Sequence, residues 1–107
     1  MIHKMKLLES PFKRIKDGTK TVEFRLYDEK RQMIKVGDKI EFSKLPELEE
    51  KILVEVVDLY KEDSFKELFK KVLIDEEDIK KHMDVIYNIY TKEQEKEFGV
   101  LGIKIKL

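Results

Sequence analysis

"TVEFRLYDEKRQMIKVGDKIEF", residues 21–42, carries two strand patterns on either side of one irregular segment. Val22, Phe24 and Leu26 alternate with Thr21, Glu23 and Arg25. A period of two belongs to a strand with one face in the core and the other polar. Val22, Phe24 and Leu26 are therefore expected inside, with Glu23 and Arg25 together on a concave face. From Asp28 to Met33 the alternation stops, which predicts an irregular or single-turn segment. Gly37-Asp38 reads as a tight turn into a further strand whose Ile40 and Phe42 share a face.

Upstream, Met5 and Leu7 alternate as in a strand, and Ser10-Pro11 offers an N-cap followed by proline at the first helical position. Gly18 is placed to end that short helix. Downstream, the polar loop "KLPELEE" leads into "KILVEVVDLY", which is apolar on both faces and reads as a long strand near the middle of the sheet. The period then changes. Phe65, Leu68, Phe69 and Val72 are spaced for a helix behind a Ser64/Glu67 capping box. Ile79, Met83, Ile86 and Tyr90 predict a second helix, and Thr91 with Gln94 one more short one. After Gly99, "VLGIKIKL" closes as a strand with Leu101, Ile103, Ile105 and Leu107 on one side and Lys104 and Lys106 on the other. This order predicts one α+β domain over residues 1–107, with a mostly antiparallel, strongly curved sheet and peripheral helices.

Composition limits the function. The 107 residues are 43% charged, and 23 basic side chains cancel 23 acidic ones. A neutral total argues against tight non-specific binding to duplex nucleic acid and for a modest, shallowly salt-dependent partner. With no cysteine there is no disulfide framework, thiolate zinc site or thiol nucleophile. Residues 1–8 are too short and too interrupted by His3, Lys4 and Lys6 for a signal peptide, and no apolar run reaches the ~18 residues of a membrane span. A soluble cytoplasmic protein with no membrane partner is expected.

Glu23 and Arg25 lie on one strand face, roughly 7 Å apart. Lys20 breaks the parity and falls in the turn after Gly18, from which its stem reaches toward Glu23. Two readings follow from spacing alone. One is a solvated strand face with an ion pair worth ~0–1 kcal/mol. The other is a recognition site in which Glu23 accepts from an exocyclic amine or ring N–H while Lys20 and Arg25 donate to carbonyl or phosphate oxygens.

The stretch 15–42 resembles the N-terminal signature of the ASCH domain family, a G-x-K-x-x-E-x-R core followed by a G-D turn into a strand. Gly18, Lys20, Glu23 and Arg25 match the core, Gly37-Asp38 the turn, and "FGVLGIKI" resembles the family's last strand. The resemblance implies a PUA-like β-barrel with peripheral helices and a cleft associated with RNA or modified nucleobases. It favours the recognition reading of Lys20, Glu23 and Arg25. Some ASCH proteins are small amidohydrolases that deacetylate acetylcytidine with a lysine, a threonine nucleophile and a glutamate. Lys20 matches the lysine, but Glu23 stands where the threonine would be, and Thr21 is out of register. If the chain were an enzyme, Lys20 and Glu23 would be its catalytic residues, with the carboxylate activating water.

Tyr27, beside Lys30 and Arg31, has the arrangement of an aromatic that stacks a base next to basic groups, or of a rim residue packed on segment 28–33. His82 is expected as a partly buried structural histidine and His3 as a free terminal one. "DEED" at 75–78 reads as a helix N-terminus whose acids favour the dipole. No metal and no cofactor are expected. The leading expectation is a module binding single-stranded RNA or a modified nucleoside through Lys20, Glu23 and Arg25, with Tyr27, Lys30 and Arg31 on the rim. A nucleoside amidohydrolase is the alternative, and an interaction protein using the Lys- and Glu-rich surface of residues 61–97 a third.

Overall fold

The computed structural model describes all residues, 1–107. Five strands and four helices follow one another as β1 (Ile2–Leu7), α1 (Glu9–Lys16), β2 (Val22–Leu26), β3 (Lys39–Lys44), β4 (Lys51–Glu62), α2 (Phe65–Val72), α3 (Glu76–Ile86), α4 (Lys92–Phe98) and β5 (Val100–Lys106). A 3₁₀ turn, Arg31–Met33, occupies the segment where the alternation fails. The sheet order is β1-β3-β4-β5-β2, so the long valine-rich strand lies in the middle of the sheet. The sheet is mixed, with β1 parallel and β4 antiparallel to β3. The α+β class is the one the sequence predicts.

The chain divides into two compact units, one comprising residues 1–23, 34–59 and 103–107 and the other residues 24–33 and 60–102. In the first, β1 buries every second residue, and Ile40 and Phe42 of β3 are fully buried beside Val54 and Val56 of β4. The register pairs Ile40 with Val54 and Phe42 with Ile52, placing their side chains on one face. Phe12 and Ile15, three apart on α1, supply that helix's buried residues.

The second unit is built around aromatic rings. Phe24 meets Phe69 edge to face at 4.8 Å, and Tyr90 stacks on Phe65 at 5.6 Å. Ser64 caps α2 by accepting from the Glu67 amide, and Thr91 with Gln94 forms a reciprocal capping box on α4. Glu95 of α4 accepts from the Phe65 amide at 2.8 Å and from the Tyr87 hydroxyl at 2.9 Å, tying three helical segments together. Burial and the Glu95 carboxylate push the Tyr87 phenol up to about 12.

Five expectations need correction. Ser10 is not the cap of α1. Leu8 holds the extended cap conformation and Pro11 sits further inside the first turn, where its missing N–H has no intrahelical partner to lose. β4 buries one face only, because its register sets Leu53 opposite Glu41 on the solvent side, and Leu53 stays half exposed. α3 ends at Ile86, and the chain tightens into turns before Tyr90 reaches Phe65. Leu107 lies past the end of β5 and is exposed.

His3 is not free. It is 8% exposed, and its Nε2 lies 2.8 Å from Asp38 Oδ2. Asp38 also accepts from the Lys35 amide at 3.1 Å and faces the Met1 ammonium at 3.5 Å. The His3 hydrogen bond, aided by the Lys35 amide, holds the Asp38 carboxyl below its usual value.

Two outcomes follow from this packing. A Cβ on buried Gly102 would stand 2.9 Å from Leu68 Cδ1 and 3.4 Å from the Tyr60 ring. Gly102→Val is therefore expected to cost about 1–3 kcal/mol, read as a lower urea midpoint. Because the folded-state pKa of Asp38 is depressed, its contribution to stability is complete above the ordinary carboxylate range and is lost as pH falls through the lowered value. Asp38→Asn should lower the melting temperature at neutral pH and flatten its decline in acid, as thermal scans across pH will show.

Candidate functional site

The polar residues singled out by the sequence are placed by the turn that ends α1. Gly18 has a φ of 85°, a conformation L side chains avoid, and a Cβ there would meet nothing within 4 Å. Conformation and not space makes the position glycine. The Thr19 hydroxyl and amide both donate to Asp17 Oδ1, at 2.7 and 2.9 Å, and hold that carboxyl below its usual range. The Lys20 amide donates back to the Arg14 carbonyl at 3.0 Å, and the Thr21 carbonyl accepts from Ile105 at 2.9 Å. The backbone on both sides of Lys20 is thereby fastened.

From this turn Lys20 Nζ reaches to 3.6 Å from Glu23 Oε1, and the two side chains are only 11% and 8% exposed. Glu23 is thus not on a solvated strand face. Within β2 both Glu23 and Phe24 are buried, while Val22 and Arg25 are half-buried. Removing an ionised carboxylate from water costs several kcal/mol, and the adjacent ammonium helps to offset it. A surface pair would be worth ~0–1 kcal/mol and would need no such arrangement. The exposed side of α1 just before this turn carries an open depression lined by Glu9, Ser10, Lys13, Arg14 and Asp17.

In the second unit, the Tyr27 amide donates to Gly99 at 3.0 Å, and Lys61 Nζ stands 4.5 Å from the centre of the Tyr27 ring. Arg31 is tied to Asp28 twice, through its amide and through Nη1, both at 3.1 Å. Its Nε is buried with no hydrogen-bond partner. Lys30 is exposed on the same short segment. The geometry therefore joins Lys20 with Glu23, and gathers Tyr27 and Arg31 on a turn with Lys30 projecting from it. Sequence reasoning misses Lys61. It is 34 positions from Tyr27 and carries no local pattern, so only the tertiary fold reveals the cation over the ring.

His82 lies against the rings of Phe24 and Phe69, at 5.7 and 5.4 Å, with Nδ1 2.7 Å from the Asp78 carbonyl. This is a packing role. Asp75 caps α3 by accepting from the Glu77 amide, which accounts for the acidic run. No group of three or more His, Asp or Glu side chains converges to hold a metal ion. No helix is long and apolar enough to cross a membrane.

The model of the ASCH domain matches residues 5–107, nearly the whole chain. The chain belongs to the ASCH domain family. Its PUA-like α+β fold agrees with three solved structures. Hypothetical protein PH0355 is 38% identical with a TM-score of 0.83, covering 99% of this chain and 98% of that one. Protein PF0455 from Pyrococcus furiosus, solved in solution, is 36% identical with a TM-score of 0.73, covering 99% and 96%. A mutant of ZmASCH from Zymomonas mobilis shares 14% identity, a TM-score of 0.62 and coverage of 99% and 68%, a likeness of fold alone. No curated protein matches the chain.

A buried ion pair in this ASCH domain has an energetic signature. Lys20→Met is expected to cost more than the ~1 kcal/mol ceiling of an exposed pair, and adding Glu23→Leu should recover part of the loss because the buried charge that has lost this cation goes too. Chemical denaturation of the two single variants and the double variant measures the coupling. A coupling below a few tenths of a kcal/mol would show the pair to be energetically idle.

Proposed function

We propose that this ASCH domain is an RNA- or nucleobase-binding module, with residues 1–107 acting as one domain and Lys20 and Glu23 as the polar recognition pair. The observation that carries the reading is the burial of both groups at a fastened glycine turn. Glu23 is an acceptor suited to an exocyclic amine or ring N–H, and Lys20 a donor suited to a carbonyl or phosphate oxygen. Arg25, two residues further along β2, adds a planar donor set. Tyr27, Lys30 and Arg31 form a separate base-stacking and phosphate-contacting segment, with Lys61 above the tyrosine ring and Lys30 exposed beside it.

Recognition is favoured over hydrolysis by the hydroxyls near the pair. Thr19 is engaged with Asp17, and Thr21, although it shares the parity of Glu23, is exposed where Glu23 is buried.

The test is a titration of single nucleosides and of a short single-stranded RNA by calorimetry. Glu23→Gln should weaken binding by about tenfold or more, since a hydrogen bond to a charged group contributes about 1.5–3 kcal/mol. Tyr27→Ala should lose about 1–3 kcal/mol for the RNA. Unchanged affinity in both variants, with their folding intact by circular dichroism, would sink the reading. So would turnover of acetylcytidine by the unmodified protein that disappears in Glu23→Gln.

A further inference from the structure

We propose that the solvent-facing side of the sheet in the first unit is a second RNA contact surface, one that takes the phosphodiester backbone and not the bases. The inference takes its partner from the proposed function and deepens it. The surface is set by strand period and register. β1 buries His3, Met5 and Leu7, which leaves Lys4 and Lys6 on the opposite face. The parallel register sets Lys4 beside Glu41 and Lys6 beside Ser43, and the antiparallel register continues those rows to Leu53 and Lys51. Lys39, between Ile2 and Glu55, completes a third row. Lys106 Nζ lies 3.9 Å from Glu55, which places the β5 lysines on this side, and Lys104 shares the parity of Lys106.

All six lysines, Lys4, Lys6, Lys39, Lys51, Lys104 and Lys106, are exposed. Glu41 and Glu55 on this face are already engaged, with Lys51 at 3.3 Å and with Lys106 at 3.9 Å. Lys4, Lys39 and Lys104 make no ion pair. A chain whose 23 basic and 23 acidic residues cancel thus presents, in its first unit, a lysine-dominated face. The same alternation that buries the core drives this, because every second residue of β1 and β5 is free to be lysine.

The chemistry of the face selects its partner. Lysine is a flexible point charge and a common phosphate binder, whereas it is depleted in protein–protein interfaces. The exposed apolar side chains among these rows are Ile2 and Leu53, and no aromatic ring stands there to stack a base. Backbone phosphates, contacted by charge and without sequence preference, fit such a face. Base recognition then remains with Lys20 and Glu23.

The experiment is a titration of a fluorescent single-stranded RNA of mixed sequence over a range of salt, with a nucleoside titration beside it. Combining Lys4→Gln, Lys39→Gln and Lys104→Gln should weaken RNA binding and make the slope of log K against log salt shallower by about 2, near 0.7 for each phosphate no longer neutralised. Nucleoside affinity should not change, and the corresponding triple lysine-to-arginine variant should restore the slope. An unchanged slope in the glutamine variant overturns the inference, as does absence of RNA binding by the unmodified protein. Competition by polyglutamate as effective as that by RNA would replace the phosphate backbone with an acidic protein segment and overturn it too. The base-recognition reading fails separately. If Glu23→Gln alters neither titration while the glutamine variant loses its slope, the lysine face stands and the Lys20–Glu23 pair does not bind the base.

Discussion

A carboxylate that is 6% exposed must have a cation, and Glu23 has Lys20 at 3.6 Å only because the chain reverses at Gly18 with a φ of 85°. Much of the local structure serves that one requirement. The turn is tied by Thr19 to Asp17 and by Lys20 to Arg14. The Thr21 carbonyl takes the Ile105 amide, which fixes where β2 begins and hence which of its residues turn inward. A slip of one residue would exchange the faces taken by Glu23 and Phe24 and carry the carboxylate away from the Lys20 ammonium. Desolvation of a charge is costly enough that such a slip is not a neighbouring minimum. The pair therefore specifies register as well as chemistry.

The elements most legible in the sequence are those whose signal is local. The helical spacing of Phe65, Leu68, Phe69 and Val72 gives α2 almost to the residue, and the Thr91/Gln94 box gives the start of α4. Gly37-Asp38 and Gly99 mark their turns because positive φ is a property of the residue itself. The features that escape a local reading depend on partners far along the chain. His3 is buried by Asp38, 35 positions away. The outer face of β4 is decided by Glu41 across the ladder and not by the apolar run Ile52–Val57. Ser10 is a better cap than Leu8 by side chain, yet the cap conformation falls on Leu8, which has no cap hydrogen bond to offer.

The polar site follows the same division. Lys20 and Glu23 are legible because a glycine turn and a period of two predict both the reach of the lysine and the face of the glutamate. That the face is buried is not legible, since burial depends on what packs over it. Lys61 above Tyr27 and the orphaned Nε of Arg31 lie outside sequence reasoning for the same cause. Composition misleads in one respect. A net charge of zero describes the sum over the chain, whereas partners meet faces, and a two-residue period can sort lysines onto one side of a sheet without altering the total.

On the proposed reading, these two kinds of charge do different work. A buried carboxylate loses its water once, during folding, so binding a ligand amine does not require stripping it again, and the contact is specific because a mismatched group leaves Glu23 facing an acceptor or nothing. Exposed lysines keep their water and give little specificity, but they act at the range of the Debye length, ~10 Å in moderate salt, and release counterions on contact. A neutral domain thus gains specificity from the first and affinity from the second. The two contributions are physically separable, because the first depends on hydrogen-bond geometry and is almost insensitive to salt, while the second depends on charge count and is almost insensitive to sequence.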